Sequence, residues 1–153
     1  MLPGDRVLCI FVKNQSVGFT FKEWPLHVTI VPWFRIDIAS VDLAEQLISV
    51  YVGHATFKVL VSEEKEFGYK HFKTVNIVNA PELYRLEGQT RRFLNYHKAW
   101  IVDEADKTRR NYAPHVSMIN SKRLHAGDEF FCDRVSIVIQ CAGYKQIDGE
   151  ILL

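Results

Sequence analysis

Two short runs restrict what this chain can fold into more than anything else in it. Pro25-Leu26-His27-Val28-Thr29-Ile30-Val31-Pro32 holds the first, and Ala113-Pro114-His115-Val116-Ser117-Met118 repeats its pattern 88 positions later. In an extended strand successive side chains point to opposite faces. His27 and Thr29 therefore share one face and Val28 and Ile30 the other. The second run sorts alike, with His115 and Ser117 opposed to Val116 and Met118. Each strand can bury an aliphatic pair while it presents an imidazole beside a hydroxyl. Laid side by side, the two would aim two imidazoles and two hydroxyls into one groove. Such a set suits a phosphate: it offers donors for the oxygens, plus one base and one acid for an in-line displacement.

The rest of the chain supplies a scaffold for that groove. Arg6 to Val12, apolar from Val7 onward, reads as a short buried strand, followed by a polar loop to Lys22. Leu26 to Phe34 is the first motif strand. Ser40 to Tyr51 reads as a helix, with Ser40 as its cap, Asp42 in the first turn, an Ala44/Leu47/Ile48/Tyr51 stripe and Gly53 as its stop. Strands are expected at Thr56–Ser62 and Phe72–Val78, joined by a charged connector from Glu63 to His71. A second helix begins with Asn79 or Ala80 as cap and Pro81 and Glu82 in its first turn. Its inner face carries Leu83, Leu86, Thr90, Phe93, Leu94 and His97, with Gly88 interrupting it. A basic stretch, Lys98 to Ala113, leads to the second motif strand at Pro114–Asn120. The tail gives two strands around Gly143 and an Asp148-Gly149 turn. This order describes an α+β chain, residues 1–153 as one domain, with two pseudo-symmetric lobes of antiparallel sheet plus helix flanking a central groove.

Composition removes several classes of function. A net charge of +1 and a pI near 7.8 provide no basic field for duplex DNA. The three cysteines, Cys9, Cys132 and Cys141, lie in apolar runs without CxxC spacing, which fits free thiols in a reducing cytoplasm. The first residues lack the pattern of a signal peptide, and no apolar run approaches 18 residues, so no membrane association is expected. No cluster of His, Asp, Glu or Cys has ligand spacing, so neither a metal nor another cofactor is expected. Walker, dinucleotide-fingerprint and nucleophile-elbow patterns are missing as well.

Paired His-x-(Ser/Thr)-apolar strands in a small α+β chain resemble the two-histidine (2H) phosphoesterase superfamily, in particular its LigT-like branch, the bacterial 2′-5′ RNA ligase group of RNA cyclic phosphodiesterases. The resemblance implies a bilobal fold and metal-independent hydrolysis at 2′,3′-cyclic phosphates on RNA or nucleotide ends, with reversible 2′-5′ RNA ligation alongside. By the same resemblance His27 and His115 match the catalytic histidines, and Thr29 and Ser117 the phosphate-binding hydroxyls. The implied partner is a small nucleotide or RNA end, and the expected state is a monomer. No arginine immediately follows either motif; the nearest are Arg35 and Arg123. Trp33, Phe34 and Tyr112 are candidates for base stacking, and Arg109 and Arg110 for phosphate contact, while Lys73 and Arg35 are assigned to the surface. The alternative reading is a non-catalytic module that holds a phosphorylated ligand in the same groove.

Overall fold

The computed structural model describes residues 1–67, 73–102 and 112–153. Within them lie ten strands and two helices. The strands are β1 (Arg6–Phe11), β2 (Thr20–Phe21), β3 (His27–Arg35), β4 (Phe57–Phe67), β5 (Lys73–Asn79), β6 (Trp100–Ile101), β7 (His115–Ser117), β8 (Glu129–Cys132), β9 (Arg134–Gln140) and β10 (Lys145–Leu152). The helices are α1 (Ser40–Val50) and α2 (Pro81–Tyr96). All strand pairs are antiparallel and belong to one sheet of order β2-β10-β9-β1-β3-β7-β5-β4-β8, with β6 pairing to β3. The class is α+β, as expected. In place of separate sheets for two lobes, a single sheet runs through the β3–β7 seam.

Both helices cover one face. Leu43 and Leu47 of α1 and Leu83, Leu86 and Leu94 of α2 are fully buried against Leu8, Ile10, Val28, Ile30, Val116 and Ile137 of the sheet. A smaller core lies on the opposite face, where Val7, Cys9, Phe11, Phe21, Trp33, Val138 and Ile147 pack together. After Arg6, β1 is apolar throughout because it alternates between these two cores, and all six of its residues are buried. At about 1.5–3 kcal/mol for each fully buried large apolar side chain, the two layers pin the centre of the sheet firmly. The helices are also bolted together. Thr90 Oγ1 donates to Leu86 O at 2.6 Å, so its oxygen receives the Tyr51 hydroxyl, also at 2.6 Å.

Several local expectations are corrected. Ser40 does not cap α1: Ala39 occupies the cap position, and Ser40 Oγ instead accepts from the buried Arg6 Nε at 2.8 Å. The inward stripe of α1 is Ser40, Leu43, Leu47 and Tyr51, whereas Ile48 is exposed. α2 runs unbroken through Gly88. β4 extends to Phe67, through residues expected in the connector, because a bulge between Val61 and Glu64 lets the charged end keep pairing with β5. Asp148-Gly149 is a bulge inside β10 and not a turn. A Cβ on Gly149 would lie 3.2 Å from Ile137 Cδ1, so a glycine is what lets this strand sit close under its neighbours.

Candidate active site

β3 and β7 are neighbours at the middle of the sheet, paired through Val28 and Val116. An antiparallel register through that pair sets His27 across from Ser117 and Thr29 across from His115. The outer neighbours agree: Phe11 and Cys9 of β1 pair with His27 and Thr29, and Ile77 and Val75 of β5 pair with His115 and Ser117. The two valines point into the helix-side core and are buried, while all four polar residues are half-buried on the opposite face. There they line a groove of about 410 Å³. Each imidazole thus faces the other motif's hydroxyl, and the imidazoles lie on a diagonal. Diagonal neighbours of this kind stand roughly 7 Å apart on a sheet face.

The two rings are anchored identically. His27 Nδ1 lies 2.8 Å from Pro25 O, and His115 Nδ1 lies 2.8 Å from Ala113 O, in each case the carbonyl two residues back. A carbonyl only accepts, so Nδ1 must carry the proton. The neutral rings are therefore Nδ1–H tautomers that carry their lone pair on Nε2. Burial holds the His27 imidazolium well below its ordinary range, down to about 4, and the positive charges of Lys73 and His115 push the same way. The hydrogen bond to Pro25 opposes this but does not offset it. At neutral pH His27 is uncharged.

Tyr112 supports the seam from behind. Its hydroxyl donates to Thr29 O at 2.7 Å, and its ring meets Tyr84 edge-on at 5.6 Å. Tyr112 thus serves the helix-side core and is not a stacking surface in the groove. Phe34 is likewise excluded: it is fully buried under the helices, whereas Trp33 lines the groove. Two bulges against β1, around Ile30 and Pro32, decide this split. The first keeps both Ile30 and Val31 on the helix side, and the second returns both Pro32 and Trp33 to the groove. Arg35 lies away from the groove in a bidentate pair with the buried Asp5 (2.7 and 3.0 Å), beneath Trp100. Arg109 and Arg110 lie outside the described residues.

The groove also holds residues that the sequence did not mark. Lys73, expected at the surface, lines the groove from the start of β5 and makes no ion pair among the described residues. Trp24, in the loop before β3, stacks on His27 with centroids 4.4 Å apart and planes 30° apart. Lys22, Glu23 and Asn120 complete the polar rim. Asn120 and Ser121 both adopt positive φ (48° and 67°), closing a two-residue turn directly after the second motif. The spacing of Trp24, three residues before His27, was the one available signal, but a loop residue carries no face assignment. Among the described residues no three His, Cys, Asp or Glu side chains converge to hold a metal ion, and no helix is long and apolar enough to cross a membrane.

No family model matches the sequence. A putative pre-16S rRNA nuclease of Caldicellulosiruptor bescii is 32% identical over 56 residues, a match that spans 37% of this chain and 40% of that protein. Whole-chain likeness comes from structures. TT0787 of Thermus thermophilus is similar over 97% of both chains, with a TM-score of 0.62 at 12% identity. E. coli LigT, solved with 3′-AMP, is similar over 99% of both chains, with a TM-score of 0.62 at 10% identity. A protein described as a phosphoesterase matches 99% of both chains, with a TM-score of 0.63 at 10% identity. With its sheet continuous through the motif seam and both helices on one face, this chain shares the fold of E. coli LigT and of TT0787.

Proposed function

We propose that the chain is a 2H-type phosphodiesterase that opens 2′,3′-cyclic phosphates at nucleotide or RNA ends without a metal ion. One observation carries the reading: two histidines, each locked through Nδ1 to the carbonyl two residues back, line one groove beside each other's hydroxyls. On this reading one phosphate sits between the two Nε2 atoms. His27, neutral at pH 7, is the base and His115 is the acid. Nε2 of His27 takes a proton from water as its oxygen bonds to phosphorus. The P–O bond to one ribose oxygen breaks on the other side, and that oxygen takes the proton from Nε2 of His115. A ribose hydroxyl and a phosphomonoester remain, and the proton returns to His115 through solvent. Thr29 and Ser117 hydroxyls hold the non-bridging oxygens, and Lys73 offsets their added negative charge in the transition state. The fold shared with E. coli LigT, which was solved with 3′-AMP, supports a nucleotide-sized ligand.

The test is turnover of 2′,3′-cyclic mononucleotides and of an oligoribonucleotide ending in a cyclic phosphate, with and without a strong chelator. Opening that survives chelation is expected, and His27→Ala and His115→Ala should each lose about 10²–10⁴-fold while keeping the wild-type fold. Full activity in either variant refutes the assignment of that histidine. Tight binding with no turnover would instead make the groove a binding module for phosphorylated ligands.

A further inference from the structure

The two imidazoles share their backbone anchors but not their surroundings. One face of His27 lies on the indole of Trp24, and Phe11 closes on the ring at 6.3 Å. His115 meets the ring of Phe67 edge-on instead, at 5.0 Å and 74°. Trp24 is itself held firmly although it lies in a loop. Phe21 packs on it at 5.1 Å and Trp33 at 6.2 Å. Lys145 of β10 sits 5.7 Å from the Trp24 ring and donates to Lys22 O at 3.0 Å, tying the loop to the sheet.

We propose that Trp24 is a positioning residue acting through His27. By covering one face of that imidazole it fixes the ring plane and excludes water, which makes His27 the base and leaves His115 the acid. The proposal rests on the phosphodiesterase reading for its functional meaning, but not for its test.

Two effects of opposite sign meet at the stacked pair. The indole face attracts an imidazolium, which would favour the charged ring. Removing water disfavours the charged ring, by more when neighbours are also positive. The groups around His27 decide the balance. Lys73 of β5 and His115 of β7 are the cations that act on it. Lys22 and Glu23 stand at the groove rim, Lys145 lies across Trp24, and the Cys9 thiol of β1, beside Thr29, is kept neutral by burial. Burial is the largest influence on His27, ahead of every charge. With two cations beside the ring already opposing its charge, water exclusion on this proposal outweighs cation–π attraction, and Trp24 is the side chain stacked on the ring face.

The experiment follows the imidazole nitrogens of both histidines by NMR in the full-length protein, labelled with ¹⁵N, through a pH titration without substrate. In Trp24→Ala the midpoint of His27 should rise by about one pH unit or more towards its ordinary value. In Trp24→Phe, which restores an aromatic cover, it should rise by less than half as much, and the midpoint of His115 should move less than that of His27 in both. The acid limb of kcat/KM on a 2′,3′-cyclic nucleotide should move with the His27 midpoint, with little change in KM. An unmoved His27 midpoint in a folded Trp24→Ala protein overturns the proposal, as does equal movement of both histidines. Should that variant not fold, Trp24→Gln, which keeps bulk but admits water, carries the same expectation and the same refutation. A His27 shift in a protein that turns over no cyclic phosphate would sink the enzymatic reading and leave the role of Trp24 standing.

Discussion

The uncharged state of His27 has a consequence for stability that needs no substrate. The folded protein resists protonating this ring until about pH 4. The unfolded chain protonates it near the ordinary value of about 6.5. Between those values the unfolded state binds the extra proton, so stability is present in full above about 6.5 and is lost as pH falls towards 4. The gap corresponds to a ceiling of about 3 kcal/mol. The groove admits water to part of the ring, and between about pH 7 and pH 4.5 the wild type should lose roughly 2 kcal/mol more than His27→Gln, which has nothing to titrate there. Urea unfolding followed by tryptophan fluorescence at both pH values measures it as a difference of differences, in which the other titrating groups largely cancel. If wild type and His27→Gln lose stability in step to within about 0.5 kcal/mol, His27 is not held neutral by burial, and its assignment as the base loses its physical ground.

Two further outcomes test the support around the groove. Tyr112→Phe removes the hydroxyl that donates to Thr29 O at 2.7 Å, leaving that carbonyl without this donor, and should cost about 1–3 kcal/mol in thermal or chemical denaturation. Lys73→Met keeps the length of the side chain but removes the positive charge, so turnover of a cyclic nucleotide should fall about 10-fold or more; an unchanged kcat/KM would remove Lys73 from the phosphate site.

Where a single segment decides its own geometry, the sequence was readable. The alternation of His27-Val28-Thr29-Ile30 and His115-Val116-Ser117 predicted which side chains face the groove and which the core, and the structure places them so; Met118, expected beside Val116 in the core, is instead exposed at the groove because β7 ends at Ser117. The inner stripe of α2 was equally plain at Leu83, Leu86, Thr90 and Leu94. Readability failed where a second segment intervened. Ser40 looks like a helix cap in isolation, but the buried Arg6 takes its hydroxyl. Trp33 and Phe34 are adjacent and both aromatic, and only the bulges against β1 send one to the groove and the other to the core. The charged residues Glu63–Glu66 read as a connector because period-two alternation breaks at a bulge and their side chains face solvent. The two-residue strands β2 and β6 are too short for any periodicity to mark them.

By itself the sequence determined that two strands would each carry an imidazole and a hydroxyl on one face, because the pleat is a property of the backbone and needs no partner. Tertiary structure alone decided that these strands would be neighbours, that each histidine would stand across from the other motif's hydroxyl, and that Trp24 and Lys73 would join them. The physical reason is range. Side-chain alternation is fixed by bonds one residue long, whereas the register of segments 88 positions apart is fixed only when two apolar cores close on opposite faces of one sheet.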